Sequence, residues 1–210
     1  MLIHLRRSLV AIVAITIVFG FLYALAGTGV AQLLFPHQAN GSLGANGSTL
    51  IGQNWSATSC PGHVAGSCVF QGRPDDLGPY GANATTGASG GDNPLVANGV
   101  SGESGATNLG PRSKALLTNT KELVAYWHQR GVNPTPDLVT TSGSGIDPDI
   151  TPADALAQVP MVAAATGVSQ SRLRTLIAAQ THGPGLGFMG SSYIVVLELN
   201  EGLATLTSQG

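Results

Sequence analysis

From Ser8 to Pro36 the chain carries no charged residue, and Arg6 and Arg7 stand immediately before that run. No other feature constrains the fold as much. A helix that crosses the hydrocarbon core of a bilayer needs about 20 consecutive apolar residues. Leu9 to Ala26 supplies most of them, and Gly27 to Leu34 extends the run. Cationic flanks stay on the cytoplasmic side. The reading is a short cytoplasmic N-terminus over 1–8, a transmembrane helix over 9–34 and an extracytoplasmic domain over 35–210, in the cell membrane. A secretory signal cleaved after Ala24-Leu25-Ala26 fits the same residues. The apolar run continues past Ala26 to Leu34 and Phe35, however, and such cleavage would leave Val30–Phe35 in water. The uncleaved anchor is therefore preferred, and both readings place the remainder outside the cytoplasm.

The roughly 170 residues beyond the anchor suffice for one domain. The chain's net charge is −2, and no basic patch stands out, so nucleic acid is not an expected partner. Only 10% of residues are charged and 29 are glycine, against about 25% charged in an ordinary soluble domain. Two explanations stay open: a partner covers part of the surface, or the loops are long and neutral. The two cysteines, Cys60 and Cys68, can form a disulfide in an oxidising compartment. A zinc site would need more ligands than His63 adds. A lone catalytic thiol is equally disfavoured where a second cysteine can pair with it.

Pro36 ends the apolar run, and turn residues follow to Ser42. Ser48 to Gly52 is expected as a short strand, and residues 57–69 as a cysteine loop. Gly81 to Gly105 offers few large apolar residues beyond Leu95 and Val96, so it reads as a loop or insertion. Within it Gly87-Ala88-Ser89-Gly90-Gly91 matches the nucleophile-elbow pattern. That motif needs a preceding strand and a following helix, and neither pattern surrounds it.

Lys114 to Arg130 is expected as a helix capped by Ser113 and closed by Gly131, with Leu116, Leu117, Thr120, Leu123, Val124 and Trp127 on one face. Asp137 to Thr140 reads as a strand. Thr151 caps the next helix, with Pro152 first and Asp154 third. Ala155, Val159, Val162 and Ala163 share its inner face, and it ends near Gly167. Ser169 caps a helix from Gln170 to about Gln180, with Leu173, Leu176 and Ile177 inward. Ser192 to Leu199 reads as a buried strand, with a short helix from Asn200. The fold class is α+β: one N-terminal transmembrane helix followed by a single mixed α/β domain.

The best candidate site is the loop carrying Ser142, Gly143, Ser144, Gly145, Asp147 and Asp149. Successive amides there can form an anion nest, and its oxygens suit a hard cation. It is no phosphate-binding Walker loop, because no Gly-Lys-Ser/Thr follows. A tight loop that caps the next helix and packs on a neighbour explains the same residues and is preferred. A serine hydrolase would need Ser142 or Ser144, Asp147, and His128 or His182 to converge, and nothing in the spacing brings them together. No metal-ligand cluster appears. Along the anchor, Gly20, Ala24, Gly27 and Ala31 form a small-residue stripe of the kind that lets helices pack closely in lipid.

Several segments together resemble the C subunit of the bacterial Kdp potassium-transporting P-type ATPase. They are Gly29–Leu43, Leu50–Gln53, Phe70–Pro74, Asn108–Pro111, Asp137–Pro152, Gln158-Val159, Thr181, Leu186-Gly187 and Val196–Asn200. Their order and spacing over most of the chain carry the likeness. Asp149 stands where the family usually has histidine, and Pro184 follows Gly183 where an arginine is common, which puts any role of those two residues in doubt. The cysteine loop 57–69 and the stretch 81–105 look like local insertions.

The resemblance implies an accessory subunit with no catalysis of its own, within a complex that uses ATP and K+. The implied partners are a channel-like potassium-translocating subunit, a P-type ATPase subunit and the lipid bilayer, and no cofactor is implied for this chain. It further implies a catalytic-chaperone role that raises the ATPase subunit's nucleotide affinity. A membrane-anchored hydrolase or solute-binding module is the alternative. The loop at Asp147 and Asp149 is a candidate for facing a partner or the potassium path.

Overall fold

A computed structural model describes residues 2–53, 55–56, 58–74, 104 and 106–208. The Gly87–Gly91 motif, and the Gly81–Gly105 stretch apart from Ser104, lie outside the described residues. The chain divides into two units between Ser48 and Thr49.

The first unit is dominated by helix α1, Leu2–Leu34. Nothing between Leu2 and Ser8 breaks a helix, so α1 starts seven residues before the expected Leu9 and includes Arg6 and Arg7. Thr16–Leu22 is wound as a π-helix. Every residue of α1 is exposed except the half-buried Ala31, as an apolar helix made for lipid must be when no lipid surrounds it. At 1.5 Å per residue its length is about 50 Å, more than a bilayer core of about 30 Å requires. Phe35 leaves helical geometry (φ −136°, ψ 55°), as the residue before a proline tends to. A single turn follows as α2, Pro36–Ala39. The side-chain amides of Gln32 and Asn40 bond each other at 3.2 and 3.3 Å across this junction. Strand β1, Leu43–Gly44, pairs antiparallel with β2, Gly47–Ser48.

The expected strand Ser48–Gly52 is thus corrected. Only Ser48 is extended, because its hydroxyl donates to the Gly41 carbonyl at 2.6 Å and the chain turns at Thr49-Leu50.

The second unit holds helix α3, Lys114–Gln129, capped by Ser113. Its buried side are Asn119, Leu123, Tyr126 and Trp127, while Leu117, expected inward, is 57% exposed. A 3-10 turn, Asp137–Val139, replaces the expected strand there. Pro136 (φ −55°, ψ −37°) sets helical geometry at its start, and Trp127 Nε1 donates to the Leu138 carbonyl at 2.9 Å. Strand β3, Asp149–Ile150, leads into α4, Pro152–Thr166. Thr151 and Asp154 form a reciprocal capping box, and Gly167 closes α4 in the left-handed conformation (φ 73°). Helix α5, Gln170–Ala179, is capped by Ser169 and packs on α4. Strand β4, Ile194–Val195, pairs antiparallel with β3.

Helix α6 is Val196–Ser208, which overturns the expected strand through Leu199. Val196, Leu199, Asn200 and Leu203 recur at helical spacing and are all buried, so burial on one helical face outweighs the β-branched run that suggested a strand. The mixed class holds, but the sheet content among the described residues is two pairs of two-residue strands.

The core joins α3, α4, α5 and α6 around Trp127, Leu138, Val159, Leu173, Ile194 and Leu199. Through it runs an extended segment, Phe70-Gln71, that belongs to no strand. Its polar backbone is satisfied by side chains. Asn200 Oδ1 accepts from the Phe70 N–H at 2.8 Å, and Asn200 Nδ2 donates to the Phe70 carbonyl at 2.9 Å. Gln158 does the same for Gln71, at 2.8 and 3.0 Å. A buried backbone group without a partner costs about 1–3 kcal/mol. Asn200→Ala orphans two such groups and is expected to lower the unfolding free energy by about 1–3 kcal/mol for each. Denaturant titration of the detergent-solubilised chain, followed by the fluorescence of buried Trp127, measures it.

Candidate functional site

The loop Ser142–Asp149 enters from the 3-10 turn and leaves into β3, held by Arg73 and by Gly52. Arg73, two residues beyond the clamped segment, reaches across it. Its Nη2 donates to the Thr141 carbonyl at 3.0 Å and its Nη1 meets Asp147 Oδ2 at 3.3 Å. Asp137 Oδ1 lies 3.9 Å from the same guanidinium. The Gly52 amide donates to the Ile146 carbonyl at 2.7 Å. A Cβ on Gly52 would lie 2.5 Å from the Asp147 carbonyl oxygen, so only glycine fits that approach.

The loop's own side chains fold it. Ser142 Oγ contacts Ser144 Oγ at 3.1 Å and accepts from the Gly145 amide at 2.9 Å. Asp147 Oδ1 accepts from the Asp149 amide at 3.1 Å. Gly143 is exposed and Gly145 is buried. Downstream, Asp154 accepts from the Thr151 amide at 2.7 Å and from the Thr135 hydroxyl. The oxygens that suggested a cation site are thus largely engaged in shaping the loop.

Beside the loop lies a recess of about 150 Å³ lined by Arg73, Asp137, Asp147, Asp149, Ser191 and Tyr193. His182 Nε2 lies 3.2 Å from Glu198 Oε2, and its ring stacks on Tyr193 with centroids 5.0 Å apart. Burial raises the Asp149 carboxyl pKa to about 6, reinforced by the negative charges of Asp147 and Glu198 and opposed by His182. Its Oδ1 is buried with no hydrogen-bond partner, the environment that favours the neutral acid.

The hydrolase arrangement does not form around these groups. His182 is committed to Glu198 and Tyr193, Ser142 and Ser144 to each other and the loop backbone, and Asp147 to Arg73. His128 is exposed on the last turn of α3. Among the described residues no group of three or more His, Cys, Asp or Glu is arranged to hold a metal ion. Cys60 and Cys68 form a disulfide, and Gln71 Nε2 ties their loop to the core through the Gly66 carbonyl at 2.6 Å. Along α1, Gly20, Ala24 and Gly27 are exposed and Ala31 half-buried. Gly20 falls within the π-helical stretch, which widens the turn between it and Ala24.

Sequence reasoning weighed His182 only as a hydrolase base and did not select Arg73, Glu198, Gln158 or Asn200, although these four lay inside the matched segments. The signal that finds Arg73 is its charge: in a chain with only 9 Lys and Arg, one placed beside an aromatic and two glutamine-and-glycine positions is conspicuous.

An apolar helix of this length joined to one mixed domain fits a single-pass membrane protein. The family described as K+-transporting ATPase, c chain, matches residues 5–205. The potassium-transporting ATPase KdpC subunit of Methylorubrum extorquens is 42% identical over the full length of both chains. That of Rhodopseudomonas palustris is 41% identical over 95% of this chain and 96% of its own. That of Caulobacter vibrioides is 40% identical over 97% and 93%. The chain belongs to the KdpC family, subunits of a P-type potassium-transporting ATPase.

As the pH rises from 3.8 through about 6, the unfolded chain releases the Asp149 proton while the folded chain retains it. The folded state binds more protons in that window, so this carboxyl's stabilising contribution is full below pH 3.8 and is lost as the pH rises through about 6. Unfolding curves of wild type and Asp149→Asn at pH 4 and 7 are expected to differ by this decline, which the variant lacks.

Proposed function

We propose that the chain is a non-catalytic accessory subunit whose N-terminus is cytoplasmic and whose domain, residues 35–210, is extracytoplasmic. Arg6 and Arg7 at one end of α1 support that orientation. The observation that carries it is the Cys60–Cys68 disulfide, a bond that persists in oxidising compartments and is rare in the cytosol. In intact cells, a membrane-impermeant maleimide is expected to label Cys60 and Cys68 only after a membrane-impermeant reductant. Labelling that requires cell lysis reverses the orientation.

In this reading the partners are a channel-like potassium-translocating subunit and an ATPase subunit, joined through α1 and the external domain. The stripe Gly20, Ala24, Gly27 and Ala31 is the proposed docking line within the bilayer. The Ser142–Asp149 loop is proposed as a rigid support for the partner-facing surface. Its hydroxyls and Asp147 are satisfied internally, and the Arg73 cation beside Asp147 disfavours K+ at that point.

The proposed effect on the ATPase subunit is to raise its nucleotide affinity, as a catalytic chaperone does, and the route is indirect. ATP is cytoplasmic, and this topology leaves only the first turns of α1 on that side. A subunit that binds one pump conformation more tightly than another raises nucleotide affinity by that difference alone. ATP titration of the purified complex is expected to show weaker nucleotide affinity when this chain is removed, while the full chain alone binds no ATP. Saturable ATP binding by the chain alone refutes the indirect route.

A further inference from the structure

Between Gly183 and Ser192 the domain presents a hairpin whose tip is apolar and turned outward. Leu186 is 85% exposed, Phe188 78% and Met189 58%. The tip is built, with paired backbone groups holding its shape. Gly185 and Met189 exchange both backbone hydrogen bonds at 2.8 Å, and the Gly187 amide donates to the Pro184 carbonyl at 3.0 Å. The base is held by the His182–Tyr193 bridge and ring stack. Leu186 sits in the left-handed region (φ 52°), where a leucine is strained and a glycine is at ease. A water-exposed side chain kept in a strained backbone conformation gains nothing in the free domain. Such an outlier points to a role outside it.

We propose that this tip is a docking knob that inserts Leu186 and Phe188 into an apolar pocket on another polypeptide of the potassium-transporting ATPase. Three observations select that occupant. The chain belongs to a family of subunits, so protein partners exist. Preformed aromatic and aliphatic anchors on a tip that itself carries no charged residue, with the charged groups set back at its base, match an interface centre with a polar rim. Segments that lie in a lipid interface pair their apolar residues with Lys or Arg, and Gly183–Tyr193 contains neither.

A second copy of the chain fits poorly. The domain's own apolar hollow, lined by Leu176, Ala179 and Leu206, would receive the knob of a neighbour only head to tail, an arrangement that makes open strings unless its rotation closes a ring.

The inference rests on membership in the complex, and its test reads contact and not nucleotide affinity, so the two proposals fail separately. Phe188 is replaced by the photo-crosslinker p-benzoylphenylalanine in the full chain, within the membrane-embedded complex. Because Phe188 is exposed, the replacement leaves the domain's core intact. Irradiation is expected to join this chain covalently to a different subunit, identified by mass spectrometry. Adding Leu186→Gly, which relieves the strained backbone while deleting the side chain, is expected to reduce the crosslink without lowering the domain's thermal stability. A crosslink to lipid alone, to a second copy of this chain, or to nothing in a complex that still co-purifies overturns the proposal. A crosslink unchanged by Leu186→Gly removes Leu186 from it.

Discussion

Phe70 and Gln71 are the pivot of the second unit, because no strand neighbours them and yet their backbone is deep in the core. Asn200 and Gln158 stand in for the missing strands, each presenting one donor and one acceptor to one residue. A primary amide is the side chain able to do this at neutral charge. Helices α4 and α6 are thereby fixed to the same segment and so to each other. Arg73 extends the arrangement by two residues to the Ser142–Asp149 loop, and Gln71 extends it to the cysteine loop. Four parts of the domain take their positions from one stretch of four residues, Phe70–Arg73.

This pattern explains why the matched segments are scattered through the chain. Phe70–Pro74, Gln158, Asn200 and Asp137–Pro152 are distant in sequence and meet in space. The legible part of the fold was local chemistry: the capping box at Thr151 and Asp154, the caps Ser113 and Ser169, the left-handed Gly167, and the length of α1. The strand at Ser192–Leu199 misled because Ile194, Val195 and Val196 favour extension locally, whereas Leu199, Asn200 and Leu203 complete a helical face that only the core reveals. The 3-10 turn at Asp137 was hidden in the same way, since Val and Thr suggested a strand and Pro136 decided otherwise. In the candidate site the loop was visible and His182 was weighed, but Arg73 and Glu198 were not, because side chains from separate elements converge there.

The electrostatics of the domain are concentrated. In a chain where a tenth of the residues are charged, Arg73, Asp137, Asp147, Asp149, His182 and Glu198 cluster near one recess. One arginine faces several carboxyls, and burial together with the neighbouring negative charges of Asp147 and Glu198 raises the Asp149 pKa to about 6. The other described charges of the domain that lie on its surface, Arg112, Lys114, Lys121, Glu122, Arg130, Arg172, Arg174 and Glu201, stand away from that recess.

The clamp also sets an order of events as the chain is made. Cys60 and Cys68 are eight residues apart, so the two can meet early. Phe70 and Asn200 are separated by 130 residues, so the Phe70 backbone lacks this partner until α6 has formed. Contacts of such long sequence separation form slowly and leave apolar surface open in the meantime. The small cross-linked loop is therefore shaped beside a core that α6 completes.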